Sequence, residues 1–135
     1  MEVTKFQFRK RENDTGKLVF LEVFKDIPFE VKRVYYVFDT AENARRGFHA
    51  HKKLMQVYIC IHGSCKVLLD DGKEQAIVTL ENPAEGLFFR TVIWREIYDF
   101  SPGAVLLVLA SDYYDENDYV RNYEDFIRYI EENGE

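Results

Sequence analysis

The sequence lacks any apolar run of the roughly 20 residues that a membrane-spanning helix requires, and it holds only two cysteines and three prolines. The first shortage argues against a helical membrane anchor. The opening Met1-Glu2-Val3-Thr4-Lys5 carries no apolar core of a leader peptide, so secretion is not expected. Cys60 and Cys65 form no CxxC pair, and a disulfide scaffold of this length would need more cysteines. Two buried thiols in a reducing compartment are expected, and with them a cytoplasmic location. A basic face is missing too: 18 Lys and Arg stand against 24 Asp and Glu, for a net charge of −6. A nucleic-acid-binding surface is therefore not expected. What is present is ample packing material, with 47% of the residues apolar and 16% aromatic. A chain of 135 residues with that composition can bury a core without cross-links, as one domain spanning 1–135.

Short β-branched and aromatic runs, separated by turn residues, fill the first hundred positions. They are 17–23, 32–38, 56–61, 66–69, 76–80, 86–89, 94–100 and 104–110. Asn13-Asp14-Thr15-Gly16 and Asp70-Asp71-Gly72 are turn signals, because Asp-Gly tolerates the positive φ that tight hairpins need. Strands at this spacing predict an antiparallel sandwich or barrel over residues 1–115. The period then changes. Tyr119, Val120, Tyr123, Phe126, Ile127 and Ile130 recur at helical spacing, predicting one amphipathic helix over 116–132 with Asp115 or Asn117 as its cap. A barrel this short exposes strand edges, and pairing strands across a homodimer is one way to protect them.

Two of the three histidines, His49 and His51, stand two residues apart. On a strand that spacing sends both side chains to one face. The pattern Gly47-x-His49-x-His51-x4-Gln56-x6-Gly63 resembles the first motif of the cupins, in which neutral imidazoles on one face hold a metal. The donor set here argues against a metal. Gln56 stands where metal-binding cupins carry Glu, and Arg95 stands about where their third histidine would come; a guanidinium repels a cation. General acid–base work suits the histidine pair better. Trp94 could stack a flat ring or pack in the core, and Arg95 beside it could bind an oxyanion. Tyr35-Tyr36 and Tyr113-Tyr114 supply either core or hydroxyl donors, while Arg33, Arg46, Lys52, Lys53 and Arg90 are candidates for holding a diphosphate.

Taken together, these stretches resemble the sugar-nucleotide 3,4-ketoisomerases, the WxcM/FdtA-like members of the cupin superfamily. The resemblance is carried by Ile27-Pro28-Phe29, Lys32 to Tyr36, Arg46 to Lys53, Gly63-Ser64, Leu109 to Glu116 and Asp118 to Tyr123, and it covers nearly the whole chain. It implies an all-β cupin jelly-roll with one C-terminal helix, and a homodimer that exchanges N-terminal strands. It also implies metal-free and cofactor-free isomerisation of a dTDP-linked 4-keto-6-deoxyhexose to its 3-keto isomer. His49 then becomes the base at C3 and His51 its partner in proton shuttling, with Arg95 and Tyr36 completing the catalytic set. Arg33, Arg46, Lys53 and Trp94 are expected to hold thymine and diphosphate.

Some members of that family carry histidine where this chain has Arg95, and such a histidine could deliver a proton to C4 to give a galacto product. An arginine stays protonated, so a gluco product is expected here. The alternatives are a sugar-nucleotide 3,5-epimerase, whose histidine–aspartate base arrangement is not recognisable in the sequence, and a non-catalytic sugar-nucleotide-binding cupin.

Overall fold

The computed structural model describes residues 1–133. In chain order the elements are β1 (Thr4–Gln7), β2 (Arg9–Asn13), β3 (Gly16–Phe20), β4 (Arg33–Val37), β5 (Arg46–His51), β6 (Gln56–His62), β7 (Cys65–Asp70), β8 (Gln75–Leu80), β9 (Glu85–Phe89), β10 (Trp94–Tyr98), β11 (Val105–Ala110), β12 (Tyr119–Val120) and α1 (Tyr123–Asn133). Two five-stranded antiparallel sheets face each other, in the orders β1-β9-β6-β11-β4 and β12-β5-β10-β7-β8. This is the all-β cupin jelly-roll with one C-terminal helix. No helix among the described residues is long and apolar enough to cross a membrane.

Three apolar clusters explain which runs became strands. Between the sheets lie Tyr58, Cys60, Cys65, Val67, Leu69, Leu87, Phe89, Ile97, Leu106 and Val108. On the outer face of the first sheet, Val57, Ile59 and Leu109 are covered by Ile27 and Phe29. On the outer face of the second, Ala50 and Trp94 are covered by Val120 and Phe126. Strand β6 is buried on both faces, so it reads as a continuous apolar run rather than an alternating one. Both cysteines are free thiols inside the first cluster.

The amino-terminal hairpin was only half visible in the sequence. Strands β2 and β3 pair around the Asn13–Gly16 turn, where Asn13 Oδ1 accepts the Thr15 backbone N–H at 2.9 Å. The charged sequence Arg9-Lys10-Arg11-Glu12-Asn13 carries no apolar alternation, because β2 is nearly all exposed. Strand β1 pairs with β9 of the same chain, from Thr4 opposite Phe88 to Gln7 opposite Glu85.

The carboxy-terminal segment also departs from its expected form. The helix begins at Tyr123, not 116. Asp115 caps only a single 3₁₀ turn, Glu116–Asp118, and β12 follows it by pairing Tyr119 with His51 and Val120 with Ala50. Asn122 caps α1 instead, its Oδ1 accepting the Asp125 N–H at 3.1 Å. Tyr119 and Val120 fit a helical period in sequence, yet edge pairing with β5 wins because it buries Val120 against Ala50 and Phe126.

Candidate active site

Strand β5 enters the second sheet through a bulge. Arg95 lies opposite His49 while Glu96 lies opposite Gly47, so Phe48 has no counterpart. Gly47 has φ +94°, and a Cβ there would sit 2.8 Å from the Arg95 carbonyl oxygen. Only glycine allows this close approach. Beyond the bulge His49 and His51 both turn inward, with ring centroids 4.9 Å apart, and the Tyr119 ring lies 5.0 and 4.3 Å from them.

The two imidazoles differ in their support. His51 Nδ1 lies 3.0 Å from Asp118 Oδ2, while its Nε2 is buried without a partner. Neither ring nitrogen of His49 has a partner. Burial, then the charge of Arg95, holds His49 near pKa 3, and the nearby Gly47 backbone opposes this weakly. His51 is lowered for the same first reason, followed by Arg95, Arg33 and Arg121. Both rings are therefore held neutral near pH 7.

Arg95 is 1% exposed and lies beneath the pair. Its Nη1 donates to Gln56 Oε1 at 2.5 Å and Tyr58 Oη at 3.3 Å, and its Nε and Nη2 donate to the Ile93 carbonyl. The guanidinium also stacks 4.2 Å from the Phe89 ring. Every one of these acceptors is neutral, so a full positive charge is buried with no carboxylate among the described residues touching it. Gln56 Nε2 in turn donates to Tyr35 Oη at 3.1 Å. Burial raises the Tyr35 pKa, so its phenol stays protonated and can donate its own hydrogen onward.

His49 stands where two cavities meet. The inner one, about 90 Å³, is lined by Val37, Tyr58, Ile97, Phe100, Leu106 and Val108 as well as Tyr35, Arg46, Gly47 and His49. The outer cleft, about 390 Å³, is lined by Arg33, Arg46, Arg121, Tyr35, Tyr119 and His49. The inside is mostly apolar, Arg46 stands at the junction of the two, and Arg33 and Arg121 line the outside alone.

Of the residues singled out in the sequence, His49, Arg33 and Arg46 line the outer cleft, and His51 and Arg95 sit behind it. Three others do not. Tyr36 is 60% exposed on the outer face beside Phe38, and Tyr35 takes the inward position, since neighbours on a strand face opposite ways. Trp94 points away from Arg95, under α1, against Tyr123 and Phe126, with its Nε1 donating to Glu96 Oε2 at 3.0 Å. Lys53 is exposed and meets the site only through its backbone N–H, which donates to Asp118 Oδ1. The sequence left Tyr35 open between core and hydroxyl donor, and gave no site role to Asp118, Tyr119 or Arg121. The last three lay in the segment assigned to the helix, and only the Asp118–Tyr123 resemblance block pointed at them.

Comparison with known proteins agrees with this geometry. The family model of FdtA (WxcM-like, C-terminal) matches residues 1–131. A TDP-4-oxo-6-deoxy-alpha-D-glucose-3,4-oxoisomerase of Aneurinibacillus thermoaerophilus is 52% identical over 130 residues, 96% of this chain and 94% of the relative. A mutant of the 3,4-ketoisomerase QdtA from Thermoanaerobacterium thermosaccharolyticum, solved with TDP-4-keto-6-deoxyglucose, superposes with TM-score 0.94 at 44% identity, covering 97% of this chain and 95% of the other. The WlaRB TDP-quinovose 3,4-ketoisomerase from Campylobacter jejuni gives TM-score 0.89 at 48% identity, covering 93% and 97%.

Proposed function

The chain belongs to the FdtA, WxcM-like family and is a sugar-nucleotide 3,4-ketoisomerase; from that premise we propose that it converts dTDP-4-keto-6-deoxy-D-glucose to dTDP-3-keto-6-deoxy-D-glucose through an enediolate. The observation that carries the mechanism is the pair of neutral, partly unpartnered imidazoles above a buried cation that touches no carboxylate.

The C3 proton is acidic because C4 is a carbonyl carbon. His49 takes that proton, the electron pair forms the C3=C4 bond, and O4 becomes the enediolate oxygen. The cavity's net charge is unchanged by this step, since an imidazolium and an anion appear together. Arg95, previously beside neutral acceptors only, then faces a negative charge nearby. Its field favours the enediolate over the ketone, which is the difference that lowers a barrier. Tyr35, with its phenol proton free, donates toward the developing oxyanion. His51 carries the O3 proton across to O4, and protonation at C4 restores a ketone at C3.

In the gluco configuration the hydrogens on C3 and C4 lie on opposite ring faces. The C4 proton must then come from the face opposite His49. Arg95, permanently charged and buried, cannot hand C4 a proton to give the galacto product as a histidine there could. Solvent therefore supplies the C4 proton from the opposite face, and His49 releases the C3 proton to solvent. The 48% identity to a TDP-quinovose ketoisomerase supports the same stereochemistry, quinovose being 6-deoxyglucose. Arg33 and Arg46 hold the diphosphate in the outer cleft as charge-assisted donors.

A homodimer with exchanged N-terminal strands completes the proposal. Its support is the row of exposed apolar side chains Val34, Tyr36 and Phe38 along β4, the edge strand of the first sheet, and Leu18 and Phe24 at the amino-terminal end. Proton NMR of the product tests the reaction: a large H3–H4-type coupling after trapping reduction of the C3 ketone, or an equatorial C4 hydroxyl seen directly, agrees with the gluco assignment. An axial C4 hydroxyl in the major product overturns it.

A further inference from the structure

We propose that Asp118 is a positioning residue for the isomerisation: it fixes His51 in the tautomer with hydrogen on Nδ1, so that Nε2 presents a lone pair to the reacting sugar. The inference rests on the reading of His51 as a proton carrier and adds a residue to it. A carboxylate has only acceptors. At 3.0 Å from Asp118 Oδ2, His51 Nδ1 must therefore be the donor, leaving Nε2 unprotonated and aimed away from the carboxylate. That Nε2 is buried and has no protein partner.

The carboxylate is itself held from several sides. Oδ1 accepts the Lys53 backbone N–H at 2.7 Å, and Oδ2 accepts the Leu54 N–H at a longer 3.3 Å. The Asp118 carbonyl accepts the Lys52 N–H at 2.9 Å, and its own N–H donates to the Asp115 carbonyl at 3.0 Å. The next residue, Tyr119, pairs with His51 in the β5–β12 ladder and lays its ring 4.3 Å from the imidazole. Neither rotation of the carboxylate nor a flip of the imidazole is possible without breaking several of these contacts. His49 has no such partner. The asymmetry separates two tasks: a ring free to take the C3 proton, and a ring whose accepting nitrogen is fixed for relaying protons between O3 and O4.

The substitution Asp118→Asn separates this role from a purely structural one. The short contact from Lys53 N–H keeps an oxygen at the Oδ1 position, so the new amide NH₂ takes the Oδ2 position, gives up the longer Leu54 N–H contact and donates to His51 Nδ1. The imidazole must then carry its hydrogen on Nε2, and the lone pair facing the sugar is replaced by a donor. The fold and the nucleotide contacts are left in place. We expect kcat to fall roughly 100-fold or more with KM changed less than about threefold, and the ¹⁵N shifts of the two His51 ring nitrogens to exchange places. Retention of kcat within about threefold, or unexchanged ¹⁵N shifts, overturns the proposal. The unaltered protein gives a second measurement should the variant not fold. Its His51 must show a protonated Nδ1 and an unprotonated Nε2, and the reverse overturns the proposal. These shifts decide the tautomer whether or not the isomerisation reading itself stands, which conversion of dTDP-4-keto-6-deoxyglucose by the unaltered protein tests separately.

Discussion

The inner cavity and the outer cleft meet at His49 but are built on opposite physical terms. The inner cavity is small and mostly apolar, with His49 at its edge and the buried His51 and Arg95 behind it. The outer cleft is larger, open to water and ringed by Arg33, Arg46 and Arg121. Charge outside is screened and cheap to place, and it suits a diphosphate that is anionic throughout the reaction. Charge inside is costly to bury, and it is useful only where an anion appears transiently. On the proposed mechanism, binding and chemistry fall to two regions that share Tyr35, Arg46, Gly47 and His49.

That division can be broken from either side, and the largest effect is expected inside. His49→Asn removes the base and should lower kcat by about 10³-fold while dTDP still binds, as read by steady-state kinetics and calorimetry. A variant that retains turnover would show that the inner cavity is not where the proton moves. Tyr35→Phe deletes the inward hydroxyl and should cost about 10²-fold in kcat, whereas Tyr36→Phe, on the outer face, should change nothing measurable. Equal effects from the two would erase the distinction between the faces of β4. Outside, Arg46→Ala should raise KM about tenfold with kcat nearly unchanged, one charge-assisted contact being worth about 1.4 kcal/mol or somewhat more. A kcat loss as large as that of Tyr35→Phe would join the two regions into one.

The smallest effect is on stability. The folded pKa of His49, about 3, lies below the ordinary 6.5, so the unfolded chain binds more protons between those values. Stability therefore rises with pH through that window, is fully present above about 6.5 and is lost on acidification. Urea melts at pH 7 and pH 5 should show the wild type losing up to about 2 kcal/mol more than His49→Asn across that step. Parallel losses in the two proteins would mean that the ring is not held neutral by the inner cavity.

The same contrast explains what the sequence could reveal. His49 and His51 were legible because a spacing of two fixes a shared face, and Arg95 because it stands about where the third histidine of the metal-binding cupins would come; the structure sets it opposite His49 across the β5–β10 ladder. Phase was not legible. Tyr35-Tyr36 and Trp94-Arg95 each place two large side chains on opposite faces of a strand, and nothing local says which faces inward. In both pairs, the expectation that Tyr36 and Trp94 reach the site gives way to their neighbours. The Asp118 contact was hidden for a different reason. Two residues of edge strand inside a helical period look like helix until β5 is there to pair with them. The exposed hairpin strand β2 was hidden by its charges, since a strand with no buried face writes no alternation.

The central claim is that protons leave C3 and arrive at C4 in a cavity run by two neutral histidines. Incubating the protein with dTDP-4-keto-6-deoxyglucose in D₂O and following the sugar by NMR tests it most directly. The account predicts loss of the C3 hydrogen, a ketone at C3 and deuterium at C4, all absent with His49→Asn. Deuterium at C3 and C5 with the ketone still at C4 would contradict it, as would full labelling by the variant.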